Sequence, residues 1–201
     1  SNYQPVYSAT KTIADPDSWS PPKPLADKFE RAKWIDFWVI CDETAAYLFY
    51  TRNHRDVFIQ TTPLEDFPQG FGEPRKVFGP VHEAVHIYKA VNRDEYHMLY
   101  EVRTGDGYRT FGLATASGLA GPWTDRTTGY ATSDKCVWPE GVTPWTDNVS
   151  HGEFLRSGYD QLLEYDPRSA KLLIQGRQGS EKDREYRSLT WSLGLLAPVM
   201  P

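Results

Sequence analysis

The pairs Trp19-Ser20, Phe71-Gly72 and Trp123-Thr124 stand 52 residues apart, twice over. That recurrence constrains the fold more than any single motif does. Between the first two pairs lie apolar runs at 34–41, 45–51 and 57–61, and a fourth at 71–77 starts on the second closer. These runs are rich in β-branched and aromatic residues and bounded by Asp, Asn, Gly and Pro, the signature of short strands. The next group repeats the plan at 83–90, 96–102 and 108–114 before closing at Trp123. Four short strands at a fixed period of this length describe a blade of a β-propeller. A β-sandwich also has many strands, but its strands do not recur with matching closers. A last group spans 148–152, 161–165, 172–176 and 189–196, and a loop over one face is expected at 127–146. Residues 1–30 open on an extended segment from Tyr3, followed by a proline-rich stretch at 21–24 that suits only an edge or a loop. The expected fold is all-β, a propeller with about four blades in this chain, as one domain over 1–201.

Aromatic residues make up 14% of the chain, with 7 Trp and 12 Tyr, which suits a ligand whose rings can be stacked, such as a neutral sugar. The net charge of −5 and the absence of a basic run argue against nucleic acid as a partner. No apolar run approaches the ~18 residues of a membrane-spanning helix, so no membrane partner is expected. The first residues lack the charged and apolar regions of a signal peptide, so an exported parent protein would carry its signal upstream. Cys41 and Cys136 define no disulfide framework and are expected as two buried free thiols.

The first strand of a propeller blade lines the central axis. Asp36, Glu83 and His151 each fall in such a strand, in consecutive blades, so they are expected to converge at equivalent positions on one axial cavity. In strict alternation Glu83 shares a face with Val81, Val85 and Ile87, opposite His82, Ala84, His86 and Tyr88. A carboxylate in that setting is costly unless it is paired with a buried Arg, bonded to amides, or used as a proton donor. His82 and His86 are read as packing within the blade. Glu101 and Arg109 lie on inner strands, where they pair with each other or touch a substrate. Asp147 and Glu153 flank His151 and are expected to support it.

Several segments together resemble glycoside hydrolase family 62, the α-L-arabinofuranosidases. Asp15-Pro16 and Trp19-Ser20-Pro21-Pro22-Lys23-Pro24-Leu25 are similar to its Asp-Pro and Trp-Ser-x-Pro-x-x-Leu. Ile35-Asp36 stands where the family has Ile-Asp. Glu83-Ala84-Val85-His86-Ile87-Tyr88-Lys89 is similar to its Glu-(Gly/Ala)-Val-Gln-Val-Tyr-Lys. Trp145-Thr146-Asp147-Asn148-Val149-Ser150-His151-Gly152-Glu153 resembles its Trp-Thr-(Asn/Asp)-x-(Ile/Val)-Ser-His-Gly-(Asp/Glu). Thr62 to Phe71, Gln175-Gly176 and Trp191 to Leu196 complete the series in order.

The resemblance implies a five-bladed propeller that hydrolyses arabinofuranosyl side chains of arabinoxylan with inversion. It implies Glu83 as general acid, Asp36 as the carboxylate that adjusts that acid and holds the sugar, and His151 as holder of an ion, usually Ca²⁺, mostly through waters. Where family members offer a Tyr near the C-terminus this chain has Trp191, which can stack on a sugar. The family's general base is an Asp upstream of the segment that begins here at Tyr3, so the first blade with the base is expected to lie outside this chain. Secretion or a periplasmic location is implied for the parent protein. The alternative is a non-catalytic carbohydrate-binding propeller. An open propeller exposes strand edges, so the isolated chain is expected to self-associate.

Overall fold

A computed structural model describes residues 5–25, 34–181 and 184–199. They form an all-β, propeller-type structure of three blades and a smaller two-stranded sheet. The small sheet pairs β1 (Val6–Tyr7) with β2 (Lys23–Pro24), so the proline-rich stretch is the edge its composition requires. Within residues 5–12 only Val6–Tyr7 is strand, less than expected, and the readings of 3–4 as strand and of 26–33 as a polar connection lie outside the described residues.

The next blade runs outward through β3 (Trp34–Cys41), β4 (Ala45–Arg52), β5 (Asp56–Pro63) and β6 (Arg75–Phe78), all antiparallel. Asp42 makes the first turn, its Oδ1 accepting from the backbone N–H groups of Thr44 (2.8 Å) and Ala45 (2.9 Å). Asn53 and His54, both left-handed at φ 57° and 50°, make the second. Phe71 is buried but stands before the strand rather than in it, because β6 begins only at Arg75.

The following blade contains β7 (Glu83–Ala90), β8 (Tyr96–Arg103), β9 (Arg109–Ala116) and β10 (Thr124–Ala131). Strand β10 reaches into the segment expected as loop, with two register shifts against β9, so the loop proper starts at 132. The last blade is built from β11 (Asn148–Phe154), β13 (Leu172–Arg177) and β14 (Ser192–Leu196), with the short β12 (Glu164–Tyr165) between the first two in the chain. Here the expected strand order is corrected: β11 pairs directly with β13, and β12 pairs parallel with β7 of the neighbouring blade. The cause is Tyr165, which stacks on Phe154 at 4.4 Å, meets Tyr88 edge-on at 5.5 Å and bonds through its hydroxyl to His97 Nδ1. Burying that ring at the seam between blades outweighs extending the last sheet.

The seam on the other side of β7 is filled by Trp38. Its Nε1 donates to the Ile87 carbonyl at 2.9 Å, and its ring stacks on His86 at 4.2 Å. Both thiols are free, Cys41 buried and Cys136 only half-buried. Among the described residues no helix is long and apolar enough to cross a membrane.

One device repeats in all three inner strands. Three steps along β3 from Ile35 to Trp38 match two along β4, and the same slip occurs from Glu83 to His86 and from Ser150 to Glu153. Each is a β-bulge with a left-handed residue: Asp36 at φ 56°, Ala84 at 54° and His151 at 40°. Non-glycine residues in this region are strained, and such strain gathers at functional sites. Gly152 allows the last bulge to pack, since a Cβ there would lie 2.7 Å from Phe111 Cζ and 3.1 Å from the Leu173 carbonyl oxygen. Phe111 is fully buried and cannot retreat. Gly152→Ala is therefore expected to cost about 1–3 kcal/mol of stability, read as a lower urea midpoint at unchanged slope.

Candidate active site

The bulges decide which side chains meet. Ile35, Glu83 and Ser150 occupy the same place before the slip, and Asp36, Ala84 and His151 the next one. Glu83 is therefore one place out of step with Asp36 and His151, not equivalent to them. The slip also breaks the alternation of β7, so Glu83 joins the face of His86 and Tyr88 rather than that of Val85 and Ile87. His82, just before the strand, has its Nε2 3.8 Å from Glu83 Oε1. The Asp36 and Glu83 strands are tied directly, the Ala84 N–H donating to Asp36 Oδ2 at 2.8 Å.

Arg109, at the start of β9, holds the centre together. Its Nη1 donates to Glu83 Oε1 at 2.8 Å and to Ser150 Oγ at 3.1 Å. The same nitrogen lies 2.8 Å from Glu101 Oε1, a charge contact off its two N–H directions, which leaves that oxygen without a directed hydrogen bond. Ser150 Oγ donates to Glu101 Oε2 at 2.6 Å, and the His151 N–H donates to the same oxygen at 3.1 Å. With the serine proton used, the 2.9 Å contact from His151 Nδ1 to Ser150 Oγ assigns the proton to Nδ1 and leaves Nε2 as an acceptor. The backbone N–H of Arg109 donates to Asn148 Oδ1 at 3.0 Å, joining the two blades. Glu101 is fully buried beneath this network and presents no surface to a ligand.

Glu83 retains 7% of its surface. Arg109 anchors Oε1, and Oε2 faces His54 Nδ1 at 3.1 Å. His54 comes from the left-handed turn after β4 and stacks on His82, centroids 5.2 Å apart. Burial pushes the His82 imidazolium down to about 4, so its ring is neutral near pH 7. Burial likewise raises the Asp36 and Glu101 carboxyls; the Ala84 amide opposes it in the first, and the Arg109 charge and the Ser150 hydroxyl in the second. His54, His82, Glu83, Arg103, Arg109 and Tyr186 line an open pocket of about 500 Å³, within the size range of small-molecule sites. Trp191 lies in an adjoining cavity that shares Arg103, Arg109 and Tyr186, with the Arg177 guanidinium 5.5 Å over its ring.

The sequence profile of glycosyl hydrolase family 62 matches residues 2–197. The chain belongs to this family. It is 32% identical over 202 residues to alpha-L-arabinofuranosidase C of Cellvibrio japonicus, covering 95% of this chain and 32% of that protein. The catalytic domain of a family 62 alpha-L-arabinofuranosidase from Coprinopsis cinerea superposes with a TM-score of 0.87 at 31% identity, over 96% of this chain and 65% of that one. A family 62 hydrolase solved with xylotriose gives a TM-score of 0.86 at 27% identity, over 96% and 67%. The chain thus spans about a third of the curated relative's length and about two thirds of the solved ones.

Within the family 62 chain the expectation of one shared cavity is corrected. Glu83 and Arg109 line the pocket, with His151 Nε2 4.0 Å from Glu83 Oε1, Glu101 beneath and Trp191 in the adjoining cavity. Asp36 instead opens on a separate cavity of about 830 Å³ with Ile35 and Phe37. The pairing of Glu101 with Arg109 is present. Asp147 and Glu153 do not reach His151: Asp147 Oδ1 accepts from the Gly179 N–H, and Glu153 lies 4.0 Å from Arg156 on the surface. Ser150 and Glu101 support His151 in their place. Ser150 and His54 were missed by sequence reasoning. Ser150 stands in the Ser-His-Gly motif, a signal in plain view, whereas nothing local marks His54.

Among the described residues two groups of donors are close enough to share a cation, His54–His82–Glu83 and Glu83–Glu101–His151. In the second the Arg109 guanidinium already neutralises both carboxylates, so the donor set does not form an oxygen cage for Ca²⁺. It fits an ion held by His151 Nε2 and waters.

Proposed function

We propose that these residues form the acid side of an α-L-arabinofuranosidase site, acting on side chains of arabinoxylan with inversion. One observation carries the reading: Glu83, anchored by Arg109, lines a sugar-sized pocket in a family 62 chain, and Asp36 reaches the Glu83 strand through the Ala84 amide at 2.8 Å. Glu83 is anchored through Oε1, so Oε2 is the oxygen presented for proton delivery to the departing xylose oxygen. Asp36 acts one strand away, where its charge and that of Glu83 influence each other, and its carboxyl can hold a sugar hydroxyl. Arg109 and Glu101 position the acid. His151 Nε2 would hold a hydrated calcium ion, which would supply a positive charge for oxygen atoms of the ligand. The relative solved with xylotriose supports a xylan chain as ligand.

Inversion also needs a base on the opposite face of the sugar. The family resemblance puts that Asp before Tyr3, so the complete reaction belongs to a protein that includes it. A polymeric substrate does not cross a membrane, which places that protein outside the cytoplasm.

The test is to follow arabinoxylan hydrolysis by the full-length protein with proton NMR. Inversion makes β-L-arabinofuranose the first product; initial appearance of the α-anomer would overturn the mechanism. Sugar binding without any arabinose release would instead favour the carbohydrate-binding module.

A further inference from the structure

The cavity beside the Glu83 pocket, about 410 Å³ in volume, is lined by four arginines, Arg103, Arg109, Arg177 and Arg184, together with Tyr186 and Trp191. Its carboxylate, Asp106, is tied into the 104–108 turn through Thr104 Oγ1 and the Tyr108 N–H. Arg109 is engaged by Glu83 and Glu101, and Arg184 by Glu181 at 2.5 Å. Among the described residues Arg103 and Arg177 have no acidic partner. Arg177 is 6% exposed, its Nη1 donates only to the Gln178 carbonyl at 3.1 Å, and its Nε has no hydrogen-bond partner.

A buried guanidinium without a counter-charge is costly to keep. It is the more notable in a protein of net charge −5, whose overall field repels anions. Both facts make sense if an anion arrives with the ligand. The planar fork of Arg matches a carboxylate, and the Trp191 ring beside Arg177 offers a face on which a pyranose can stack. The two cavities share Arg103, Arg109 and Tyr186, so a residue bound here can belong to the same oligosaccharide as one beside Glu83.

We propose that this cavity is a subsite for an acidic sugar residue, a uronic acid on the xylan chain, with its carboxylate on Arg103 and Arg177 and its ring on Trp191. The substrate class is then an acidic arabinoxylan. This rests on the sugar-pocket reading above, but it is read by binding rather than by turnover.

The experiment is calorimetric titration of the protein with xylotriose and with xylotriose bearing one glucuronic acid branch. The acidic oligosaccharide is expected to bind about tenfold more tightly. That preference should collapse at about 1 M NaCl and in Arg103→Gln, an exposed substitution that spares the buried Arg177. Equal affinities, or no binding of the acidic oligosaccharide, would overturn the proposal. So would competition by inorganic sulfate as strong as that by glucuronate, which marks a general anion site. Failure of the hydrolytic reading would show as absent arabinose release with the acid preference intact; failure of this one leaves release unchanged and the preference gone.

Discussion

A Glu83→Gln variant of the full-length protein is expected to fold normally and to release arabinose from arabinoxylan roughly 10²- to 10⁴-fold more slowly. Gln has the shape of Glu and keeps an oxygen to accept from Arg109, so the contacts at 2.8 Å and 3.1 Å around the side chain can persist. What it lacks is a proton to give. The loss should therefore depend on the leaving group. A xylose alkoxide needs protonation to depart, whereas a nitrophenolate leaves with little help, so an aryl arabinofuranoside should retain far more of its rate. A merely structural Glu83 would slow both substrates alike, and that outcome, or full activity on the polymer, would remove Glu83 from the acid role.

The period of 52 residues made the blades legible, because a strand-turn pattern repeats when one architectural unit repeats. The approach of Asp36 and His151 to Glu83 was legible for the same reason, since inner strands of successive blades share an axis; that Asp36 opens on a different cavity from Glu83 was not. The bulges were not. A bulge is one extra residue on one strand opposite its partner, and nothing in Glu83-Ala84-Val85-His86 distinguishes it from an unbroken alternation. Hence the alternating reading put His86 across the sheet from Glu83, and the slip brings the two to one face. His54 escaped for another reason. It belongs to a turn of the preceding blade and reaches Glu83 only through the packing of one blade on the next. The departure of β12 to the neighbouring sheet has a similar origin, since the preference of Tyr165 for the aromatic seam is a property of three distant rings.

Removing Arg109 should show how the acid is held. Arg109→Met keeps the apolar stem but leaves Glu83 and Glu101 facing each other without the guanidinium between them. Breaking a buried ion pair by deleting one partner typically costs about 3–5 kcal/mol, and this pair is well buried, Glu101 completely. The loss should depend on pH in a defined sense. Burial raises the Glu101 carboxyl above its ordinary value of 4.5, and the Arg109 charge is the largest influence opposing that rise. Below the unfolded value both states are protonated there, and the folded state carries no buried charge. As the pH climbs from the unfolded value through the raised folded one, the folded state holds the extra proton and stability falls. Without Arg109 the folded value moves further up and the interval widens, so the variant should be closer to wild type at pH 5 than at pH 7. Urea midpoints at the two pH values measure this directly. Adding Glu101→Gln to the variant removes the charge that causes the slope, and should recover stability at pH 7 while changing little at pH 5. A loss below about 1 kcal/mol, or one equal at both pH values, would mean that Arg109 is not what keeps these two carboxylates together.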